Sequence, residues 1–539
     1  MQTEVPSSTQ FPRVRAAPWA VGIAFGLGLA YELFFDGPVP GISIPLWIGL
    51  CVVGLLLTAR IEGARLSLQG AIGPVVVLGL ALIFPFRLEP LTIGLSVVLG
   101  LLALTIWVDT LLPGDLLRFG WVDLLRSTLV TPLLMLIRPW AVLGDAWHRS
   151  VREDGWRRPT FSILRGLLLA LPILAVFTAL LASADIVFGD YVKEVVAWLD
   201  LERLLDLLSR TVVVLFVSIV SLGALAVGLQ TRRDRRRSGE DRPLVSPFLG
   251  YTETTVVLLL MDLLFAAFVA IQFAYLFGGE ANISLRGYTY AEYARRGFGE
   301  LVFTAALSLG LIYILAQITR RQSTRQVQGF NLLSGLQVGL LGVVLVSAFR
   351  RLVLYEAAYG FTRLRTYTHV AIGWIGVALL VFVVLLLADR LRRFAPAAFL
   401  GAVGFALTLA LVNVDAFIVE RNSQRFAETE KLDVEYLLQL TDDAVPGLAA
   451  LSQVAPPDDR EQLLADLSCR FSRLRRWRAT EPWPSTHWSR LRALQTLEGM
   501  SQQLEPYVVR PAFWGTWQHG PFVVGVGDDT YWCSRGGFD

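Results

Sequence analysis

Apolar runs and short polar connections alternate along most of the chain. An α-helix needs about 20 apolar residues to cross a bilayer, because in lipid every backbone polar group has to be bonded within the segment. Such runs lie at 17–35, 42–59, 70–86, 91–112, 162–184, 209–229, 254–277, 301–319, 332–349, 368–388 and 397–419. The pattern predicts an all-α polytopic membrane protein with about eleven transmembrane helices.

Two of the connections are not simple loops. Segment 113–160 mixes apolar groups with prolines, charges and four tryptophans, and tryptophan favours the membrane interface. We interpret it as an amphipathic segment on the cytoplasmic surface. The alternative is a twelfth transmembrane helix through 124–136, which would reverse every later orientation. Segment 192–208 alternates apolar and acidic positions, which predicts a short amphipathic helix on the outer surface.

Arginine is unevenly distributed between the two sets of connections. The side with more arginine in its short loops is cytoplasmic by the positive-inside rule. The residues on that side are Arg13, Arg15, Arg60, Arg65, Arg149, Arg152, Arg157, Arg158, Arg232, Arg233, Arg235, Arg236, Arg237, Arg320, Arg321, Arg325, Arg390, Arg392 and Arg393.

The predicted organisation of this multi-pass protein of the cell membrane follows from that orientation. The N-terminus is cytoplasmic, and an odd number of crossings places the C-terminus outside. The parts are a cytoplasmic tail (1–16), four transmembrane helices (17–112), a cytoplasmic amphipathic connection (113–160), seven transmembrane helices with polar outer loops (161–421) and an extracytoplasmic C-terminal region (422–539).

The C-terminal region is mostly polar, and its pattern predicts a small α or α+β domain. Segments 437–440 and 463–474 have helical patterns, 455–459 is a loop, and 522–526 is a short strand near several glycines. Cys469 and Cys533 both lie in this region, which the predicted topology places in an oxidising compartment. We therefore expect the two to lie close together and to form a disulfide. Two unpaired thiols are the alternative.

Composition supports the membrane class and excludes several kinds of function. The chain is 17% charged, whereas typical soluble domains are about a quarter charged. Positive charge is carried by arginine in short loops between apolar runs, so nucleic-acid binding is not expected. No phosphate-binding glycine loop and no nucleophile elbow are present, so no cofactor is predicted. No metal site is predicted either, because the histidines are scattered without ligand spacing: His148, His369, His487 and His519.

Polar residues close the last apolar run, in the segment LVNVDAFIVERN. On one continuous helix Asn413 and Glu420 would share a face, and Asp415 and Asn422 would share roughly the opposite face. Polar groups are costly in the membrane unless they are paired. We therefore expect protein to surround this helix, with Asn413 and Glu420 facing a cavity and Asp415 securing the packing.

Asp262 lies near the middle of the seventh apolar run. A carboxylate at this depth is a functional candidate by default. The alternative is a neutral, hydrogen-bonded acid that fixes helix packing, and we class Asp262 with Asp415 as a structural polar residue. Gln272, Gln317 and Gln337 are expected to bond neighbouring helices.

The predicted outer loops carry both positively and negatively charged residues at a similar depth relative to the membrane. Charges near the apolar layer need partners or water, so we expect the outer loops and the end of the last helix to line one polar cavity. Arginines in such a cavity would match phosphate oxygens, whereas interfacial helices with snorkelling arginines are the simpler alternative. The candidate lining residues are Glu32, Asp36, Arg295, Arg296, Arg363, Arg365, His369, Asn413 and Glu420.

Five stretches carry a family resemblance: 183–188 (SADIVF), 287–301 (GYTYAEYARRGFGEL), 359–369 (YGFTRLRTYTH), 413–422 (NVDAFIVERN) and 432–448 (LDVEYLLQLTDDAVPGL). Together they resemble the bacterial membrane family known as domain of unknown function 4173, which is related to family 4153. The resemblance extends over about residues 160–500. It implies a polytopic membrane fold and its topology, and it implies no catalytic residues.

Two functions of different classes fit these observations. The first is a non-enzymatic integral membrane protein of the cell envelope, acting in transport, lipid handling or envelope assembly, with a polar outward-facing cavity. Its expected partners are membrane lipid and, in the cavity, an anionic lipid or phosphate-bearing ligand. The alternative is a membrane-embedded transferase that uses a lipid-linked donor at the outer face, with Glu32 or Asp36 as a general base near the lipid phosphate.

Overall fold

The structure is a computed structural model. It describes residues 17–35, 40–63, 69–111, 119–153, 170, 174, 176–178, 180–185, 187–192, 201–229, 247–276, 298–511, 522–526 and 529–533. Three of the predicted cavity residues, Asp36, Arg295 and Arg296, lie outside the described residues, as does most of the predicted helix at 162–184.

The apolar runs form α1 (Ala17–Phe34), α2 (Ser43–Ile61), α3 (Ile72–Ala81), α4 (Pro90–Thr110), α5 (Trp121–Glu153), α6 (Leu201–Leu229), α7 (Tyr251–Leu276), α8 (Phe298–Ile318), α9 (Thr324–Tyr359), α10 (Arg363–Leu387) and α11 (Phe394–Val412). α1, α2 and α4 begin and end within about two residues of their predicted bounds, which is the usual spread of helix-end assignments. The predicted surface helix at 192–208 is not separate, because from Leu201 onwards it is the first part of α6.

Many of these helices have the length and composition of membrane crossings. Within the described residues nine qualify, namely α2, α4, α6 to α11, and the part of α5 from Trp121 to Gly144. α1 and α3 are shorter apolar helices. So many apolar helices in one chain make this an integral, multi-pass membrane protein.

Contacts between helix ends define two ends of the bundle. We call the end that carries the C-terminal region the tail end. There, the N–H of Ile42, just before α2, donates to Thr486 O (3.0 Å). We call the opposite end the far end, where Trp107 Nε1 near the end of α4 donates to Gly70 O, just before α3 (3.0 Å).

α5 lies across the far end of the bundle. Its contacts are Trp121 with Tyr313 (ring centroids 6.3 Å apart), Ser127 Oγ donating to Thr105 O (3.4 Å), and Met135 against Gly223. Each partner residue lies between one and two turns from the far end of its own helix. Because α5 meets three different helices at similar depth, it runs across them near the far end. Its length and composition alone would also allow a crossing.

The last membrane helix is broken at Asn413. α11 ends at Val412, Asn413 has left-handed backbone angles (φ 56°, ψ 73°), and α12 begins at Val414. Asparagine tolerates this conformation better than most residues do. The predicted continuous helix with Asn413 and Glu420 on one face is therefore wrong, because the break changes the direction of everything after Val412.

The C-terminal region is α+β. Its elements are α12 (Val414–Thr429), α13 (Val434–Leu438), α14 (Val445–Leu451), α15 (Pro457–Thr480), α16 (Trp488–Gly499), α17 (Ser501–Leu504), β1 (Val508–Pro511), β2 (Phe522–Val526) and β3 (Asp529–Trp532). The strands form an antiparallel sheet in the order β1-β2-β3. A disulfide joins Cys469 of α15 to Cys533 after β3, with Cα atoms 5.7 Å apart. This is the pair that the sequence predicted.

One apolar core connects this region to the bundle. Leu409 of α11 and Ile418 of α12 lie in the same buried cluster as Leu437, Leu467 and Leu497 of the C-terminal region. Burying this many apolar side chains together is the main stabilising contribution. The C-terminal region therefore packs on the tail end as part of the fold.

Candidate functional site

A buried ion pair joins α10 to α12 at the tail end. Arg363 Nε donates to Asp415 Oδ1 (2.8 Å), and Arg363 Nη2 donates to Asp415 Oδ2 (2.6 Å). Asp415 is fully buried, in the first turn of α12 directly after the break at Asn413. Two parallel bonds of this kind make an arginine–carboxylate pair strong and directional.

Residues from the segment around α13 complete the pair. Thr441 donates to Asp415 Oδ2 through its backbone N–H (2.8 Å) and through Oγ1 (2.7 Å). The Tyr436 hydroxyl accepts from the backbone N–H of Arg363 (2.7 Å), one of the helix-start groups that have no partner within the helix. Both oxygens of Asp415 are thus occupied by protein donors, which is the condition under which a buried charge is tolerated.

Glu89 is a second buried carboxylate at the tail end. It caps α4, accepting from Leu91 N–H (2.8 Å), Thr92 N–H (2.8 Å) and Thr92 Oγ1 (2.5 Å). Tyr367 of α10 donates its hydroxyl to the same carboxylate. A negative charge at a helix N-terminus is favoured by the helix dipole. Glu89 therefore links the start of α4 to the first turns of α10.

Asp443 and Arg87 tie the connection between α3 and α4 to the C-terminal region. Asp443 accepts from Leu88 N–H (2.8 Å) and Ser489 Oγ (2.5 Å). Burial raises the pKa of Asp443 to about 6, while these two hydrogen bonds and Arg87 act in the opposite direction. Arg87 Nε donates to Ala410 O (2.5 Å), one of the last carbonyls of α11, which have no partner within the helix.

His487 is buried beside the same connection. Burial lowers the pKa of His487 to about 4, and the positive charge of Arg490 adds to this effect. The imidazole is therefore neutral at physiological pH. Deeper in the C-terminal region, Arg470 Nε donates to Asp466 Oδ2 (2.5 Å), and both side chains are buried.

The other predicted cavity residues are bonded elsewhere. The guanidinium of Arg365 lies over the Tyr355 ring, 4.1 Å from its centroid, and donates to Gly360 O. His369 Nδ1 lies 3.0 Å from Glu356 Oε1. Neither side chain points at the Arg363–Asp415 pair, although Arg365 and His369 follow Arg363 closely along α10.

Glu32, Glu420 and Asn413 are also separate from one another. Glu32 pairs with Arg210 between α1 and α6 (3.3 Å), and Glu420 is exposed on α12. Asn413 Oδ1 is buried at the helix break and has no hydrogen-bond partner. Of the singled-out residues, the described structure joins Arg363 directly to Asp415, a residue assigned from the sequence to packing and not to the cavity.

A different group of polar residues lies inside the apolar layer. Asp262 of α7 and Ser334 and Gln337 of α9 are buried. Neither oxygen of Asp262, nor the Ser334 hydroxyl, nor either polar atom of Gln337 has a hydrogen-bond partner. The hydrogen bond expected for a neutral packing acid is therefore not formed at Asp262, and Gln337 does not bond a neighbouring helix.

Sequence reasoning did not single out Glu89, Tyr436 or Thr441. A usable signal exists for Glu89, since an acid directly before Pro90 at the start of an apolar run is typical of a helix N-cap. Thr441 and Tyr436 lie in the stretch 432–448 that carried the family resemblance, but nothing in their spacing indicates Asp415 as a partner. Within the described residues, no group of three or more His, Cys, Asp and Glu side chains is placed to hold a metal ion.

Comparison with models of protein families places the chain in one family. The model of the family Domain of unknown function (DUF4153) matches residues 73–451. The chain belongs to this family. The match runs from α3 to the end of α14, so the DUF4153 part contains Glu89, Arg363, Asp415 and Thr441. No curated protein and no solved structure matches the chain; the resemblance to family 4173 stays a prediction.

Proposed function

We propose that this DUF4153 protein is a non-enzymatic transport protein of the bacterial cell envelope. The observation that supports this best is the pairing of a short helix with a broken one. α3 has 10 residues, which amounts to about 15 Å, half of the hydrocarbon layer. α11 stops at Asn413. In transporters, short and interrupted membrane helices mark the binding site, because they free backbone groups inside the protein.

The short helix α3 and the broken helix α11 are connected to each other, and α12 after the break is bonded to the C-terminal region. We call the tail-end contacts of Glu89, Arg87, Asp415 and Asp443 the tail-end junction. Leu80 of α3 and Ala406 of α11 belong to the same apolar cluster. Arg87 bonds the last turn of α11 at Ala410 O, and Asp415, just after the break, bonds the C-terminal region. A rearrangement at the break would therefore reach both the membrane helices and the C-terminal region.

We infer that the far end is cytoplasmic and the tail end extracytoplasmic, in the cell membrane. Two independent observations support this orientation. The disulfide between Cys469 and Cys533 lies in the C-terminal region, and such bonds persist in oxidising compartments. The far end carries the arginines that the positive-inside rule places in the cytoplasm: Arg60, Arg320, Arg321, Arg325, Arg390, Arg392 and Arg393.

The same orientation gives the number of crossings. α5 lies at the far end, and α6 begins at the tail end, where Arg210 meets Glu32. The crossing that the sequence predicts at 162–184 lies mostly outside the described residues and stays a prediction. Together with α1 to α4 and α6 to α11 this makes about eleven crossings of the bilayer. Residues 1–16 are then cytoplasmic, and 422–539 are extracytoplasmic.

A site for an anionic lipid at Arg363 and Arg365 is not part of this proposal. Both guanidinium groups are already engaged, one by Asp415 and the other by the Tyr355 ring and Gly360 O. The transferase alternative depended on Glu32 and Asp36. Glu32 pairs with Arg210, and no contact of the described residues favours a transferase.

Transport can be tested before the solute is known. Liposomes containing the full-length protein are incubated with the small molecules of an isotope-labelled bacterial extract, and the labelled species retained inside are identified by mass spectrometry. We expect enrichment of at least one species over empty liposomes. Arg87→Gln should reduce that enrichment, because it removes the bond at the helix break. Arg421→Gln, a change of an exposed arginine on α12, is the matched control.

Two outcomes would contradict the proposal. One is the absence of any enriched species with folded wild-type protein. The other is an equal effect of Arg87→Gln and Arg421→Gln on solute enrichment, which would mean that the helix break plays no part in transport. The orientation is tested separately in intact cells by an impermeant thiol reagent, which should label Ser501→Cys and not Gln322→Cys.

A further inference from the structure

α7 presents a carboxylate to the interior of the bundle. Asp262 is 3% exposed and lies between Leu258 and Phe265 on the buried stripe of the helix. Among the described elements, the main neighbour of α7 is α9, and both helices contribute to one apolar cluster. The carboxylate therefore lies in an apolar interface, with neither oxygen hydrogen-bonded.

Two contacts fix the register between α7 and α9. Near the far end, the Tyr251 ring at the start of α7 lies against Gly329. Nearer the tail end, Gln272 Oε1 accepts from Ser347 Oγ (2.8 Å). Both helices begin at the far end, so they run side by side in the same direction between these contacts.

This register brings Asp262 level with Gln337. Asp262 lies midway between Tyr251 and Gln272, and Gln337 lies within about one residue of the corresponding midpoint on α9. Ser334 is one turn before Gln337 on the same buried stripe. Gln337 and Ser334 are fully buried, and their polar side-chain atoms have no hydrogen-bond partner. Two carboxyl oxygens, an amide group and a hydroxyl group thus lie at a similar depth, and none of them has a hydrogen-bond partner.

The depth of these groups makes the missing partners important. Asp262 lies about 16 Å along the helix from Tyr251, near the middle of a hydrocarbon layer about 30 Å thick. Backbone groups cannot help, because in the middle of a helix they are bonded to one another. A buried carboxylate without a partner is strongly unfavourable in its charged form.

Among the described residues, the charged and titratable groups of the neighbouring helices do not neutralise Asp262. Arg351 of α9 lies about 21 Å along the helix from Gln337 and donates to Gln272. His369 of α10 pairs with Glu356 of α9 towards the tail end. Tyr313 of α8 is nearer in height, but its ring lies against Trp121 and carries no positive charge.

We propose that Asp262, Gln337 and Ser334 form a binding site for a monovalent cation, either Na⁺ or a proton. Oxygen ligands suit a hard cation, and cation sites of membrane transporters lie near the bilayer midplane. A bound Na⁺ would be coordinated by the free oxygens. A proton on Asp262 would make the carboxyl group a donor for the Gln337 amide oxygen. The site goes beyond the proposed function, because cation binding is measurable whether or not a solute is moved.

The test uses purified full-length protein in detergent. Radiolabelled Na⁺ binding is measured by equilibrium dialysis, and the infrared band of a protonated carboxylic acid is followed as the pH is varied. We expect saturable Na⁺ binding, or a band that disappears as the pH rises, and Asp262→Asn should remove either signal. If Na⁺ binds, Gln337→Leu should weaken its binding about tenfold, a ratio that corresponds to about 1.4 kcal/mol. Asp206→Asn, a change of an exposed carboxylate on α6, is the matched control.

The outcomes are distinguishable. Na⁺ binding that depends on Asp262 identifies Na⁺ as the occupant. A band that titrates with pH and is unaffected by Na⁺ identifies a proton. If no Na⁺ binds and the Asp262 band persists at every pH at which the protein stays folded, the residue is a permanently neutral packing group and the cation site is overturned. Failure of solute transport would leave these results unchanged, and size-exclusion chromatography verifies that each variant is folded.

Discussion

Asp415 and Asp262 are both buried acids in the same bundle, and their surroundings are opposite. Asp415 accepts four hydrogen bonds, from Arg363 and Thr441. Asp262 accepts none. The difference follows from position. Helix ends and the C-terminal segment offer backbone and side-chain donors at the tail end, whereas in mid-helix only side chains can serve. Removing Asp415 would leave the buried donors of Arg363 and Thr441 without their acceptor, whereas Asp262 has no protein partner to lose.

The largest expected effect is the loss of the satisfied acid. Asp415→Ala leaves Arg363 partly buried without its partner, and breaking such a pair costs about 3–5 kcal/mol in the free energy of unfolding. Denaturant unfolding in detergent measures this cost. The control is Glu420→Ala on the exposed side of the same helix, which should change stability by no more than about 0.5 kcal/mol. Equal effects of the two variants would mean that the ion pair does not hold the junction.

The disulfide stabilises the C-terminal region alone, so removing it tests the stability of that region independently of the Arg363–Asp415 pair. Cys469→Ser removes a bond between residues 64 positions apart, which should lower the free energy of unfolding of this region by about 2–4 kcal/mol. A reducing agent should lower wild-type stability by the same amount. Cys51→Ser in α2 is the control and should change little. If reduction leaves the wild type unaffected, the bond does not contribute to the stability of the region.

His487 and Asp443 should each make the free energy of unfolding depend on pH, with opposite signs. The pKa of His487 is lowered from 6.5 to about 4, so between these values the unfolded chain binds more protons and stability rises with pH. His487→Gln should therefore lose stability relative to the wild type as the pH rises through that window, by at most about 3 kcal/mol.

Asp443 acts in the other direction. Its pKa is raised from 3.8 to about 6, so the folded protein binds more protons between these values and the contribution to stability falls as the pH rises. Asp443→Asn should gain stability relative to the wild type over the same window. Melting temperatures of the three proteins from pH 4 to pH 7 test both signs, and a parallel course of all three curves would contradict them.

The smallest expected effect has the opposite sign to that of Asp415→Ala. Gln337→Leu replaces an amide without hydrogen-bond partners by an apolar side chain of similar size. In sodium-free buffer this should raise the free energy of unfolding by about 1 kcal/mol. Gln272→Leu is the matched comparison, because Gln272 accepts hydrogen bonds from Ser347 and Arg351. This variant should be less stable than the wild type. A loss of stability in both variants would mean that Gln337 has partners in the membrane.

The membrane helices could be predicted from hydropathy because apolar runs of bilayer length have few stable solutions. α2 and α4 follow their runs closely. The break at Asn413 could not be predicted, since apolar residues flank it and a single left-handed residue leaves no trace in hydropathy. α3 is shorter than its run for a similar reason, because the turns after Ala81 are as apolar as the helix.

The candidate residues were recognisable, but their partners were not. Arg363 and Asp415 were both singled out as charges near the apolar layer, and it was the break at Asn413 that turned Asp415 towards α10 and Thr441. Gln337 was expected to bond a neighbouring helix. Whether an amide finds a partner depends on side-chain conformation and helix register, which periodicity does not specify.

The most direct measurement compares the melting temperatures of wild type and Asp262→Asn while Na⁺ concentration and pH are varied at constant ionic strength. A cation that binds the folded protein stabilises it by mass action. We predict that the wild type gains stability with rising Na⁺ or falling pH relative to Asp262→Asn, and that Asp415→Asn retains the cation dependence of the wild type although it melts earlier. Parallel curves for wild type and Asp262→Asn under all conditions would contradict a cation site between α7 and α9.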